Sequence, residues 1–202
     1  MNAHSRFFSA IPQLLPLSKQ QLHIWHAQTL NPRIPGLSIA ECMEIKGMVH
    51  PTPFTQAVGT AVAETEALHL CFCETGQGPY QFVAAKAKWI FAFLDQSHLP
   101  DPYVAAKEWM QEDFRHFVAI TEGPLFSIAL FRCAVDRYLY YFRCHRILAG
   151  KFDRYLLTKR IAALYAESWD PVLAQRMCLR LNSMHCPEET CFEMGPMIEF
   201  TG

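Results

Sequence analysis

The chain has 202 residues, 51% of them hydrophobic and 18% charged, and a formal net charge of -1 at pH 7. That length holds one domain with a full core, and that composition excludes a disordered chain. A near-neutral balance with no long run of one sign gives no reason to expect nucleic acid or an anionic membrane as partner. At the amino terminus Phe7, Phe8 and Ile11 are broken up by Ser9 and Pro12, so neither a signal peptide nor a membrane span is expected. The eight cysteines, without an export signal, read as free thiols in a reducing cytoplasm rather than a disulfide framework.

In chain order, residues 18–30 predict a helix, with Ser18 as N-cap, Gln21 completing a capping box, and Leu22, Trp25 and Leu30 roughly on one side. Residues 37–45 predict a strand. Thr52-Pro53 then opens a helix by cap-plus-proline logic, with Phe54, Ala57, Val58, Ala61 and Val62 as its apolar stripe. Residues 68–72 and 80–83 form strands either side of a Gly76-Gln77-Gly78 turn. A further strand covers 89–94, and Asp101-Pro102 starts a helix running to about Phe117.

After the Gly123-Pro124 break, residues 125–135 and 138–145 read as two long strands joined at Asp136-Arg137. They are apolar at nearly every position, which predicts central strands covered on both faces. Residues 151–167 form the last helix, with Tyr155, Leu156, Ile161, Leu164 and Tyr165 buried. Helices alternating with strands predict an α/β fold, a two-layer sandwich of helices on a mixed sheet, over residues 10–170. Residues 171–202 read as a divergent tail; from Met177 onward no period of 2 or 3.6 is sustained, and poor order is expected.

The most informative segment is Tyr141-Phe142-Arg143-Cys144-His145-Arg146-Ile147-Leu148-Ala149-Gly150. It resembles the H-H-x-x-x-D-G signature of nonribosomal peptide synthetase condensation domains, with Cys144 for the first histidine, His145 for the second and Ala149 for the aspartate. Other short motifs follow in the family's order. The segment from Pro16 to Trp25 is similar to the opening S-x-x-Q-x-x-L-W. Glu64-Thr65-Glu66-Ala67-Leu68-His69-Leu70-Cys71-Phe72 is similar to R-H-E-x-L-R-T-x-F. Gly78-Pro79-Tyr80-Gln81, Leu94-Asp95, Gly123-Pro124-Leu125 and the helix ending Ile161-Ala162-Ala163-Leu164-Tyr165 resemble the later motifs. The pattern looks closest to siderophore synthetases of the enterobactin type.

The resemblance implies the amino-terminal lobe of a chloramphenicol-acetyltransferase-like fold, truncated and degenerate. It implies amide-bond formation between carrier-bound acyl and aminoacyl groups, with His145 as candidate catalyst and Cys144, Ala149 and Gly150 at the degraded motif positions. No cofactor would bind directly, because the substrates are phosphopantetheine-tethered; the partner would be a peptidyl or aryl carrier protein or another synthetase subunit. The family's structural aspartate–arginine pair is missing at both ends, since Ala149 replaces the aspartate and Glu64 and His69 replace the arginines. A site so damaged, in a chain about one lobe long, is expected to be inactive alone. Two alternatives are a stand-alone acyltransferase of the chloramphenicol acetyltransferase type and a non-catalytic carrier-binding module.

Blander readings attach to the same residues. A histidine on an apolar strand can be a satisfied core residue, and a Cys144–His145 nucleophilic pair is disfavoured because neighbouring strand residues point to opposite faces. Cys178, His185, Cys186 and Cys191 match no standard zinc spacing. Cys71 and Cys73 alternate onto one strand face, and Trp25, Phe54 and Trp109 read as core anchors.

Overall fold

The computed structural model describes residues 13–32, 37–86 and 89–169; the expected tail and the four residues weighed as a zinc site lie outside them. The element order is β1 (Leu15–Pro16), α1 (Lys19–Leu30), β2 (Ser38–Lys46), α2 (Pro51–Glu64), β3 (Leu70–Thr75), β4 (Gly78–Val83), β5 (Phe91–Asp95), α3 (Pro102–Arg115), β6 (Phe126–Ala134), β7 (Arg137–His145) and α4 (Arg154–Trp169). Short 3-10 turns precede β3 (Glu66–His69) and follow β7 (Arg146–Leu148).

The main sheet runs β2-β7-β6-β5. β7 is antiparallel to both neighbours, and β5 joins parallel to β6, so the sheet is mixed. The two long apolar strands are therefore adjacent and central, as their composition predicts. Alternation along β7 sends Tyr138, Tyr140, Phe142 and Cys144 into the larger core, where they meet Phe54, Val58 and Val62 of α2 and Leu157, Ile161 and Tyr165 of α4. Leu139 and Tyr141 go to the other face, where Ala106 and Met110 of α3 cover them together with Ala129 and Phe131 of β6. Helices on a mixed sheet is the expected fold; the second face is covered by α3.

Several details depart from the sequence-based expectation. The 70–83 hairpin does not join the main sheet; with β1 it makes a separate antiparallel sheet ordered β1-β4-β3. The second helix begins two residues earlier than Thr52-Pro53 suggests, with His50 at the N-cap and Pro51 at the first helical position. Pro53 is accommodated because first-turn N–H groups need no intrahelical acceptor. The last helix begins at Arg154, not Lys151, and Asp153 Oδ1 accepts from the N–H groups of Tyr155 and Leu156 at 2.8 and 3.4 Å. Leu156 faces outward, 57% exposed, and Leu157 is buried instead.

In α1 the capping box forms as expected, but Leu30 is 87% exposed. The buried positions include Gln21 and Gln28, and each amide has a partner: Gln21 Nε2 donates to Gln81 Oε1 at 2.9 Å and Gln28 Nε2 to the Val118 carbonyl at 2.9 Å. A hydrophobic count along the helix misses these positions because hydrogen bonding, not apolarity, makes their burial tolerable.

One ionic network locks α3 to the sheet. Asp113 of α3 receives Arg143 Nε at 2.6 Å and Arg143 Nη2 at 3.3 Å, together with the hydroxyls of Ser127 and Tyr141 at 2.8 and 3.0 Å. The Arg143 side chain is 5% exposed. Removing one member of such a pair leaves a charge out of water, whereas removing both does not. Asp113→Leu is therefore expected to cost about 3–5 kcal/mol in urea unfolding, and Asp113→Leu combined with Arg143→Met to recover most of that loss. Additive losses in the double variant would mean that the pair does not hold α3.

Candidate functional site

β7 ends at His145, and both neighbouring segments hold it there. The His145 N–H donates to the Leu125 carbonyl and the Arg146 N–H to the Leu37 carbonyl, each at 2.7 Å. The chain then turns through the 3-10 segment Arg146–Leu148, for which His145 is the N-cap: its Nδ1 accepts the Ile147 N–H at 3.1 Å. The Ile147 carbonyl in turn accepts from Gln21 Nε2 at 3.4 Å. Gln21 Oε1 accepts the Ser18 N–H at 2.9 Å, and Gln81 Nε2 donates to the Pro16 carbonyl at 3.0 Å. The opening Ser-x-x-Gln motif, the Gly-Pro-Tyr-Gln strand and the turn after His145 thus form one hydrogen-bonded unit. Sequence reading noted all three motifs but not their contact.

The imidazole is 2% exposed, and its Nε2 has no partner among the described residues. Burial, with a smaller contribution from the Arg143 charge two residues away, pushes its pKa down to about 4. The ring is therefore neutral near pH 7. Because Nδ1 accepts, the proton sits on Nε2, and that nitrogen is a donor in this arrangement. Acting as a base through Nε2 requires the other tautomer and release of the Ile147 N–H.

The companion motif positions do different things. Cys144 is fully buried on the opposite face of β7, and burial pushes its thiol up to about 12. It is a core residue, and the structure does not bring it together with His145 as a nucleophile–base pair. Ala149 is half-buried at the end of the 3-10 turn, its N–H donating to the Arg146 carbonyl at 2.9 Å. Gly150 has φ +77, while a Cβ there would approach nothing nearer than Gln20 Oε1 at 3.7 Å; backbone conformation, not space, calls for glycine.

Both replaced arginine positions are satisfied locally. Glu64 takes two hydrogen bonds from Arg160 of α4, at 2.7 and 2.9 Å, and His69 Nε2 donates to the Val62 carbonyl at 3.0 Å. The 44% exposure of both partners in the Glu64–Arg160 pair makes it a weak contributor. Arg143 and Asp113 were not singled out from sequence. The available signal was an arginine inside an otherwise apolar central strand, which has to be matched by a buried partner.

A histidine closing a central strand, followed by a tight turn into a helix packed on a mixed sheet, defines a lobe of the chloramphenicol-acetyltransferase type. The condensation-domain family model matches residues 11–173, and the chain belongs to that family. It is 36% identical over 151 residues to an isonitrile lipopeptide synthase of Streptomyces coeruleorubidus, covering 74% of this chain and 10% of that protein. It is 36% identical to a dimodular nonribosomal peptide synthase of Bacillus subtilis, covering 74% and 6%, and 28% identical to enterobactin synthase component F of Escherichia coli, covering 76% and 12%.

Among solved structures, the starter condensation domain of rhizomide synthetase aligns with TM-score 0.74 and 33% identity over 79% of this chain and 39% of that one. The first condensation domain of the calcium-dependent antibiotic synthetase aligns with TM-score 0.71 and 28% identity over 79% and 38%. The chain thus spans about a tenth of the synthetases it matches and about two fifths of the solved chains. Among the described residues no helix is long and apolar enough to cross a membrane.

The depressed His145 pKa carries a stability consequence of fixed sign. Above pH 6.5 the ring is neutral folded or unfolded; between 6.5 and about 4 only the unfolded chain takes up the proton, so stability falls with pH and levels off below 4. Relative to His145→Gln, the wild-type chain is expected to lose roughly 3 kcal/mol across that window. Parallel stability profiles for the two proteins would refute the buried neutral imidazole.

Proposed function

We propose that this chain is the histidine-bearing part of a nonribosomal condensation site, built for amide formation between carrier-bound acyl and aminoacyl groups and inactive as the 202-residue polypeptide alone. The observation that carries the reading is His145, at the end of the central strand, in the place of the family motif's second histidine. A neutral imidazole there is suited to orienting an attacking amine or accepting its proton only in the tautomer that leaves Nε2 bare. The partners would be peptidyl or aryl carrier proteins, their thioesters tethered through phosphopantetheine, in the reducing cytosol. A siderophore-type substrate belongs to this reading on the strength of the enterobactin relatives alone.

Inactivity rests on three physical points. Ala149 and Cys144 break the motif. The Nε2 proton has to leave before the ring can serve as a base there. The matched residues amount to about two fifths of the solved chains, so they provide little to hold an acceptor thioester in line, and positioning accounts for roughly 7–11 kcal/mol of such barriers. A second reading, a non-catalytic module docking a loaded carrier, is favoured by the same motif damage.

The test is the purified chain with carrier-bound donor and acceptor, followed by mass spectrometry of the carrier. No amide product is expected, and Ala149→Asp with Cys144→His is expected to restore none. Product that disappears in His145→Ala would overturn the inactivity. A pull-down with phosphopantetheine-loaded carrier reports on the docking reading.

A further inference from the structure

Two backbone groups that flank Leu17 start a directed chain of hydrogen bonds that ends on the His145 ring. The Pro16 carbonyl can only accept, and the Ser18 N–H can only donate. Gln81 Nε2 donates to the first at 3.0 Å, so Gln81 presents its Oε1 to Gln21. Gln21 Oε1 accepts from the second at 2.9 Å, so Gln21 presents its Nε2 to Gln81 Oε1, at 2.9 Å, and to the Ile147 carbonyl, at 3.4 Å. Flipping either amide would set oxygen against oxygen and N–H against N–H. With Gln21 and Gln81 only 1% and 6% exposed, bulk water offers neither amide an alternative partner. The orientation of both side chains is therefore dictated from the backbone.

The last member of the relay is Ile147, whose N–H donates to His145 Nδ1 at 3.1 Å and keeps that nitrogen bare. The side chains of Ile147 and Leu148 are buried in the core and place the turn there. Apolar packing is non-directional, however, and leaves the rotation of the backbone at Ile147 free. A carbonyl held by a side-chain amide restricts that rotation, because hydrogen bonds are directional. We propose that Gln21 and Gln81 are positioning residues for His145, acting through Ile147 to hold the imidazole with Nδ1 bare and the proton on Nε2. That this ring state serves the condensation reaction rests on the proposed function; the hold on the ring does not.

The hold has a chemical consequence. Charging the ring puts a proton on Nδ1, where the Ile147 N–H already points. The imidazolium therefore forms only if Ile147 swings away, and Gln21 resists that by holding the carbonyl of the same residue. Burial and the Arg143 charge oppose the cation independently. Severing the relay leaves those two in place and removes the third restraint, so the ring becomes easier to charge. The test employs the full 202-residue chain, labelled with 15N, with the His145 ring resonances assigned by His145→Gln.

In the wild-type chain Nδ1 is expected to show the shift of an acceptor nitrogen and to couple across the hydrogen bond to the Ile147 amide, with the proton on Nε2. Gln21→Leu is expected to abolish that coupling and to raise the charged-to-neutral ratio of the ring at pH 5 roughly tenfold, one pKa unit. Gln81→Met leaves the Gln21 amide without its anchor and should move the ratio the same way by a smaller factor. The double variant should go no further than Gln21→Leu alone, because the two amides act in series. Ser18→Ala is the control for helix stability: it removes the hydroxyl that caps the Gln21 N–H at 3.3 Å, leaves both amides their partners, and should keep the wild-type ratio. A proton on Nδ1 or no coupling to Ile147 in the wild-type chain would overturn the inference without any variant, so misfolding of a variant cannot decide the question. An unchanged ratio in Gln21→Leu, additive effects in the double variant, or an equal shift in Ser18→Ala would also overturn it. The ring response as described, in a chain that makes no amide even when joined to the rest of a condensation domain, would instead sink the proposed function and leave the positioning role standing.

Discussion

β7 is hydrogen-bonded along its length on both sides, from Ser38↔His145 to Lys46↔Arg137 on β2 and from Phe126↔Cys144 to Ala134↔Arg137 on β6. Its residues from Tyr138 to His145 are all buried. With period 2, a slip of one residue would send Arg143 and His145 into the aromatic core against Phe54 and Tyr165 and bring Phe142 and Cys144 out against Asp113. Register is thus fixed by the one arrangement that gives a buried guanidinium its carboxylate.

That constraint organises the neighbourhood of His145. Arg143 fixes α3 to the sheet through Asp113. The same cation lies two residues from the imidazole and adds to burial in keeping it uncharged. On the far side of the strand end, Gln21 and Gln81 hold the turn whose Ile147 N–H orients the ring. Packing is intact here, and His145 Nε2 is the buried polar atom of the ring left without a partner among the described residues. A buried cysteine in place of a buried histidine keeps the core filled with a small apolar group. Losing both members of the family's expected aspartate–arginine pair leaves no charge stranded.

Local signals in the chain were enough for a good deal of this. Ser18 and Gln21 made a capping box, Asp101 capped α3 through the Val104 N–H, and the strands on either side of Asp136-Arg137 paired. These succeed because caps and hairpins are short-range, and continuous apolarity over nine residues has few uses other than a central strand. The misses included the choice of which helix face is buried. At Leu156 and Leu30 an apolar residue faces water, since the face a helix buries is chosen by what packs against it.

From sequence alone came the α/β class, the family and the position of His145, because an ordered set of short motifs survives even when single members are lost. Only the tertiary structure decided what those residues do. It placed Cys144 and His145 on opposite faces, put the imidazole proton on Nε2, paired Arg143 with Asp113 thirty positions away, and joined Gln21 to Gln81 and Ile147 across sixty and more. Each of these depends on burial and on a hydrogen-bond partner distant in the chain. A lone polar residue in a sequence says that a partner must exist; only the folded chain says which one it is.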